Sequence, residues 1–107
     1  MELINKYNNQ LIKICEQFNV NELHAFGSII SGNFKPDSDI DLLVKFGEVE
    51  IYNYFDNYLD FKESLEKLLD RKVDIIEEQT LKNPVLIKSI NRNKKKLYER
   101  ADTKMAL

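Results

Sequence analysis

The chain has 107 residues, 43% apolar and 32% charged, with three glycines and two prolines, which excludes a disordered or low-complexity chain and a second independent core. One domain is expected over residues 1–101, with a frayed tail at 102–107. The formal net charge of −2 hides a separation, because residues 88–100 carry six basic residues against one acidic, so the total excludes no class of partner. A single cysteine, Cys15, allows no internal disulfide, and with the lone His24 it makes no thiolate–imidazole metal site, so any metal must be held by oxygens. The opening MELINKYNNQ has neither a basic start followed by an apolar run nor a small-residue cleavage site, and no membrane span is visible. The expected location is the cytoplasm, away from membranes.

In chain order, Leu3, Ile4, Tyr7, Leu11, Ile14, Cys15 and Phe18 recur at intervals of three and four, which predicts one amphipathic helix with Cys15 in the core. Asn19 and Asn21 suit the turn that ends it, and Leu23 to Phe26 read as a short strand delivering the chain to Gly27 and Ser28. Residues 28–32 suit a short helix. Pro36, Asp37 and Ser38 mark a loop before a strand from Asp39 to Phe46. The apolar positions from Ile51 to Leu69 keep helical spacing and predict the longest helix, with Arg71 and Lys72 at its negative end. Val73 to Ile76 is a β-branched run containing Asp74. Asn83-Pro84 reads as an N-cap and first helical residue of a helix through about Ile90, and Leu97 and Tyr98 are expected to anchor a last helical segment.

Within a strand, residues two apart share a face, so Asp39 and Asp41 present two carboxylates together while Ile40 and Leu42 point to the core. Such a pair is costly unless cations bridge it, and magnesium, a hard ion that keeps room for substrate phosphates, is the natural candidate. Asp74 completes a three-carboxylate cluster if its strand lies beside the first, and three acids can hold two ions. Gly27 allows close backbone approach to a ligand, and the Ser28 hydroxyl with nearby N–H groups suits phosphate oxygens. Taken singly, Asp37, Ser38 and Asp39 are equally turn and cap residues, and Asp41 a solvated strand residue. His24 sits opposite Leu23 and Ala25 in strand alternation and reads as structural. Most aromatic residues fall on helix stripes and read as core. Tyr52, Tyr54 and Tyr58 are partial exceptions: with Tyr52 off the main stripe, they suggest an aromatic surface on this helix for a partner.

Together, FGSIISGNFKPDSDIDLLV at 26–44 and VDII at 73–76 resemble the signature of the DNA polymerase β-like nucleotidyltransferase superfamily: Gly-Ser, ten residues, Asp-x-Asp, then a later strand with a third aspartate. The short chain and its NP…LYE ending resemble the minimal nucleotidyltransferase group, whose members pair with a HEPN-domain protein as antitoxin and toxin. The resemblance implies an α+β fold, a small mixed β-sheet with helices packed on it, of the polymerase β palm-like type. It implies that Asp39 and Asp41 bind two Mg2+ ions, that Asp74 binds the catalytic one and helps deprotonate the acceptor, and that Gly27 and Ser28 hold the phosphates of ATP. The implied reaction transfers AMP to a tyrosine of a HEPN ribonuclease in a hetero-oligomer, without direct nucleic-acid binding. One departure bears on the nucleotide. Many relatives carry arginines where this chain has Ile29 and Ser31, and Lys35, Lys45 or the basic segment after Ile87 are the available substitutes. The competing readings are an antitoxin that neutralises its partner by occlusion alone, which the missing arginines favour, and a small-molecule nucleotidyltransferase, which 107 residues leave little room for.

Overall fold

Alternation around the acidic pair organises the sheet. In β2 (Ile40–Phe46) the residues Ile40, Leu42, Val44 and Phe46 are buried on one face, while Asp41 and Lys45 emerge on the other. The structure, a computed structural model, describes residues 2–32 and 34–101; residues 102–107, expected to be a frayed tail, lie outside them. β1 (Val20–Phe26), β3 (Val73–Glu77) and β4 (Lys95–Glu99) complete a mixed four-stranded sheet in the order β3-β2-β1-β4. β1 is antiparallel to β2 and β4, and β2 is parallel to β3. This is the α+β architecture expected from the resemblance.

Helices cover the apolar face. The expected opening helix is two helices, α1 (Glu2–Lys6) and α2 (Asn8–Gln17), because Tyr7 leaves the helical path and its N–H bonds only three residues back, to Ile4, at 3.2 Å. α2 still buries Leu11 and Cys15, so the cysteine is core as expected; burial pushes its thiol up to about 12, which leaves it unreactive. The longest helix, α4 (Ile51–Leu69), buries Phe61, Leu65 and Leu69. Phe61 is the hub, with ring centroids 5.6 Å from Phe46 and 6.0 Å from Phe18. Asp70, left-handed at φ 52°, ends α4, and the Glu66 carboxylate accepts the Val73 N–H at 2.9 Å and so starts β3.

After β1 the chain turns at Gly27 into α3 (Ser28–Ser31). α5 (Pro84–Asn93) starts as its sequence says: the Asn83 side chain accepts the N–H groups of Val85 and Leu86 at 3.0 and 3.3 Å, ahead of Pro84 in the first turn. The ending overturns an expectation. Leu97 and Tyr98 belong to no helix; they lie in β4, paired with β1 through Leu23↔Tyr98 and His24↔Lys96. Five residues show no local period that separates strand from helix, and the pairing that decides comes from a strand some seventy residues earlier. The lysines of β4 suit an edge, where charge blocks further strand addition.

Candidate active site

The open face of the sheet carries the predicted acidic residues. Asp41 is the register partner of Asp74 across the parallel pair and of Phe26 across the antiparallel one. Adjacent strands lie about 4.8 Å apart and register partners share a face, so the two carboxyl groups rise side by side. Asp39 lies one residue before β2, half-buried like Asp41, whereas Asp74 is exposed. Asp41 takes up a proton more readily than an ordinary aspartate, first because burial strips its water and then because Asp74 and Asp39 crowd it with negative charge. Among the described residues no three acidic, imidazole or thiol groups already converge on one ion position.

Gly27 is held to glycine by two independent constraints. Its backbone, φ 75° and ψ −144°, lies in a region that side chains rarely adopt. A Cβ there would also collide with Oδ2 of Asp41. The bend and the acidic strand are therefore fitted against each other, with the Asp41 carboxyl seated over the Gly27 backbone. Ser28 follows as the first residue of α3, whose turn is closed by the Ile30 and Ser31 N–H groups donating to the Gly27 carbonyl at 3.0 and 3.1 Å.

Gly27 and Ser28 open onto a cleft of about 530 Å³ lined also by Phe26, Ser31, Leu86, Ser89, Ile90 and Asn93. The sequence offers the segment after Ile87 for its basic residues, but the α5 wall of the cleft is made instead by Leu86, Ser89, Ile90 and Asn93. Positions 86, 89, 90 and 93 nevertheless fall at helical spacing, and that half-polar stripe is the signal that could have found it. The two departures from the arginine pattern separate here. Ser31 lines the cleft, whereas Ile29 is buried and lines a different hollow with Leu3 and Phe34. His24, on the same face as Asp41, is buried, and its imidazole is held neutral first by burial and then by Lys94 and Lys96, against a smaller pull from Glu22 and Glu78.

A bend closed on a glycine, a cleft beside it and adjacent aspartates on parallel strands describe a nucleotide-handling face on a palm-like sheet. The chain belongs to the polymerase β nucleotidyltransferase family, whose profile matches residues 9–103, and it is a nucleotidyltransferase. It is 39% identical over 70 residues to the protein adenylyltransferase MntA of Thermococcus cleftensis, covering 65% of this chain and 68% of that protein. A solved structure provisionally described as a minimal nucleotidyltransferase superposes with a TM-score of 0.73 at 30% identity, over 88% of this chain and 92% of the other. The fold is also shared, at TM-score 0.62 and 18% identity over 94% of this chain and 76% of the other, with a chain of the complex between a tri-AMPylated Shewanella oneidensis HEPN toxin and its MNT antitoxin. No helix among the described residues is long and apolar enough to cross a membrane.

Proposed function

We propose that the protein is a magnesium-dependent adenylyltransferase that moves AMP from ATP to a tyrosine hydroxyl of a partner HEPN toxin and so acts as its antitoxin. The observation that carries this reading is the register of β2 on β3, which sets Asp74 beside Asp41 on the open face, next to the Gly27-Ser28 bend. The Thermococcus relative is named as a protein adenylyltransferase, and the Shewanella complex contains a toxin already bearing AMP.

The donor set suits a hard divalent cation: three carboxylates without thiolate or imidazole, with Asp74 and Asp39 adding negative charge at an Asp41 whose proton affinity burial already raises. Asp39 and Asp41 would hold both ions and Asp74 one of them. Bound magnesium would lower the pKa of the attacking hydroxyl and neutralise charge on the triphosphate and departing pyrophosphate. The chain's own groups do the rest. Gly27 and Ser28 hold phosphate oxygens, the cleft against α5 takes the remainder of the nucleotide, and Asp74 receives the proton of the acceptor. The acceptor oxygen bonds to the α-phosphorus in line as the bond to the β-phosphate oxygen breaks, releasing pyrophosphate. A protein acceptor also needs a docking surface. Ile51, Tyr52 and Phe55 on α4, 83%, 91% and 67% exposed, supply an apolar one.

A second reading, neutralisation by occlusion alone, is favoured by Ser31, which brings a hydroxyl to the cleft at a position where the family pattern it resembles has an arginine. Incubating the chain with its genetic neighbour, magnesium and each nucleoside triphosphate, beside an Asp39→Asn, Asp41→Asn control, separates the two by intact mass. The expected result is a gain of one or more AMP units that requires both aspartates and ATP. An unmodified partner held in a stable complex would replace catalysis by occlusion.

A further inference from the structure

Arg71 belongs to no motif and lies at the junction of α4 and β3, three residues before Asp74. Its Nη1 donates to two backbone carbonyls, Lys35 at 3.0 Å and Ser38 at 3.2 Å, and its guanidinium stacks on the Phe34 ring at 4.4 Å. Those carbonyls are the two ends of one tight turn, closed by the Ser38 N–H donating to the Lys35 carbonyl and the Lys35 N–H donating to the Ser38 hydroxyl, each at 3.0 Å. Asp39 follows that turn directly. The next backbone link, Ile40 N–H to the Lys72 carbonyl at 3.0 Å, begins the pairing that sets Asp41 beside Asp74.

We propose that Arg71 is a positioning residue of the active site, holding the 34–38 turn against the root of β3 so that Asp39 is presented in register with Asp41 and Asp74. The inference rests on the assignment of Asp39 as a metal-binding residue. A guanidinium makes all three contacts together, its Cζ over the Phe34 ring while Nη1 donates to both carbonyls; an ammonium could donate to the carbonyls but has no planar group to set on the ring. Phe34 packs against the core, but residues 35–37 beyond it are exposed, so without Arg71 the approach to Asp39 opens locally while the hydrophobic core remains.

The test uses the full chain with Arg71→Lys and Arg71→Gln, and Lys67→Ala as a control that removes an exposed ion pair to Glu63. Two quantities are measured: backbone amide exchange, and affinity for Mn2+ as a probe of the magnesium site by electron paramagnetic resonance. Exchange over residues 34–41 should accelerate at least about tenfold in both Arg71 variants while residues 20–26 stay as protected as in the wild type. Mn2+ affinity should fall about tenfold, with kcat for AMP transfer falling by a larger factor than KM for ATP rises. Unchanged exchange over 34–41 overturns the proposal, as does faster exchange with unchanged Mn2+ affinity, and so does a loss of protection spread evenly over the sheet. Wild-type protein that binds no Mn2+ overturns the assignment of Asp39 itself, a result distinct from a wild type that binds and an Arg71→Lys variant that binds equally well.

Discussion

The two faces of the sheet are built on the same strands and obey opposite rules. On the covered face Leu23, Ala25, Ile40, Leu42, Val44 and Val73 are fully buried beneath α2 and α4. On the open face the alternate residues of the same strands are mixed: the paired Leu43 and His24 are buried, whereas Phe26, Asp41 and Asp74 meet a bend, a cleft and one another. Because a strand reverses its side chains at every residue, the two tasks are separated by one peptide unit. Stabilising packing can be dense on one side while unfavourable charge accumulates on the other.

The comparison breaks most severely at Phe61, where truncation damages only the covered face. Phe61→Ala removes the ring that Phe18 and Phe46 pack against and should cost about 3–5 kcal/mol, read as a fall in denaturation midpoint at an unchanged denaturant slope. A cost below about 1 kcal/mol would mean that the aromatic hub is not where the fold is held. Gly27→Ala is the matching damage to the open face, and it should cost about 1–3 kcal/mol for the backbone conformation. Its new methyl also displaces the Asp41 carboxyl, so AMP transfer should disappear at temperatures where the variant remains folded. Retained transfer would show that the carboxyl position over the bend does not matter.

Asp41→Asn sharpens the contrast because its expected sign on stability is reversed. The carboxylate is stripped of water by burial and crowded by Asp74 and Asp39, so the neutral amide should stabilise the metal-free chain by roughly 0.5–1 kcal/mol while abolishing transfer. Thermal melts with and without Mg2+ check it. The wild type should gain stability from the ion and the variant should gain little. An Asp41→Asn chain less stable than the wild type in the absence of Mg2+ would contradict a destabilising cluster.

Legibility in the sequence divides along the same line. The covered face follows from apolar spacing, and the Asn83-Pro84 start follows from capping chemistry, because both depend on residues close in the chain. The sequence also names Asp39, Asp41 and Asp74, but adjacency of the last two is a fact of strand pairing, which β2 and β3 settle across the whole length of α4. The same non-locality hides β4, which reads as helix until β1 supplies its partner. Arg71 is invisible for a different reason. Its hydrogen bonds go to backbone carbonyls of the 34–38 turn, and a carbonyl acceptor leaves no trace in residue identity.

The smallest expected effect is the pH dependence of the open face, where two groups act in opposite directions. Burial and two lysines lower the folded-state pKa of His24, so between the ordinary imidazole value of about 6.5 and that lower value the unfolded chain binds more protons. The contribution of His24 to stability is therefore present above pH 6.5 and lost as the pH falls through that window. Asp41 has a raised folded-state pKa, so in the window just above the ordinary aspartate value the folded chain binds more protons, and acidification through it relieves a cost. Metal-free melts of wild type, His24→Asn and Asp41→Asn from pH 7 to pH 4 should separate the two. His24→Asn should flatten the decline just below pH 6.5, and Asp41→Asn should steepen the overall acid decline by removing the compensating group. Parallel curves for all three chains would mean that neither side chain changes its proton affinity on folding, and the open face would lose its claim to be an electrostatically strained surface carried by a well-packed sheet.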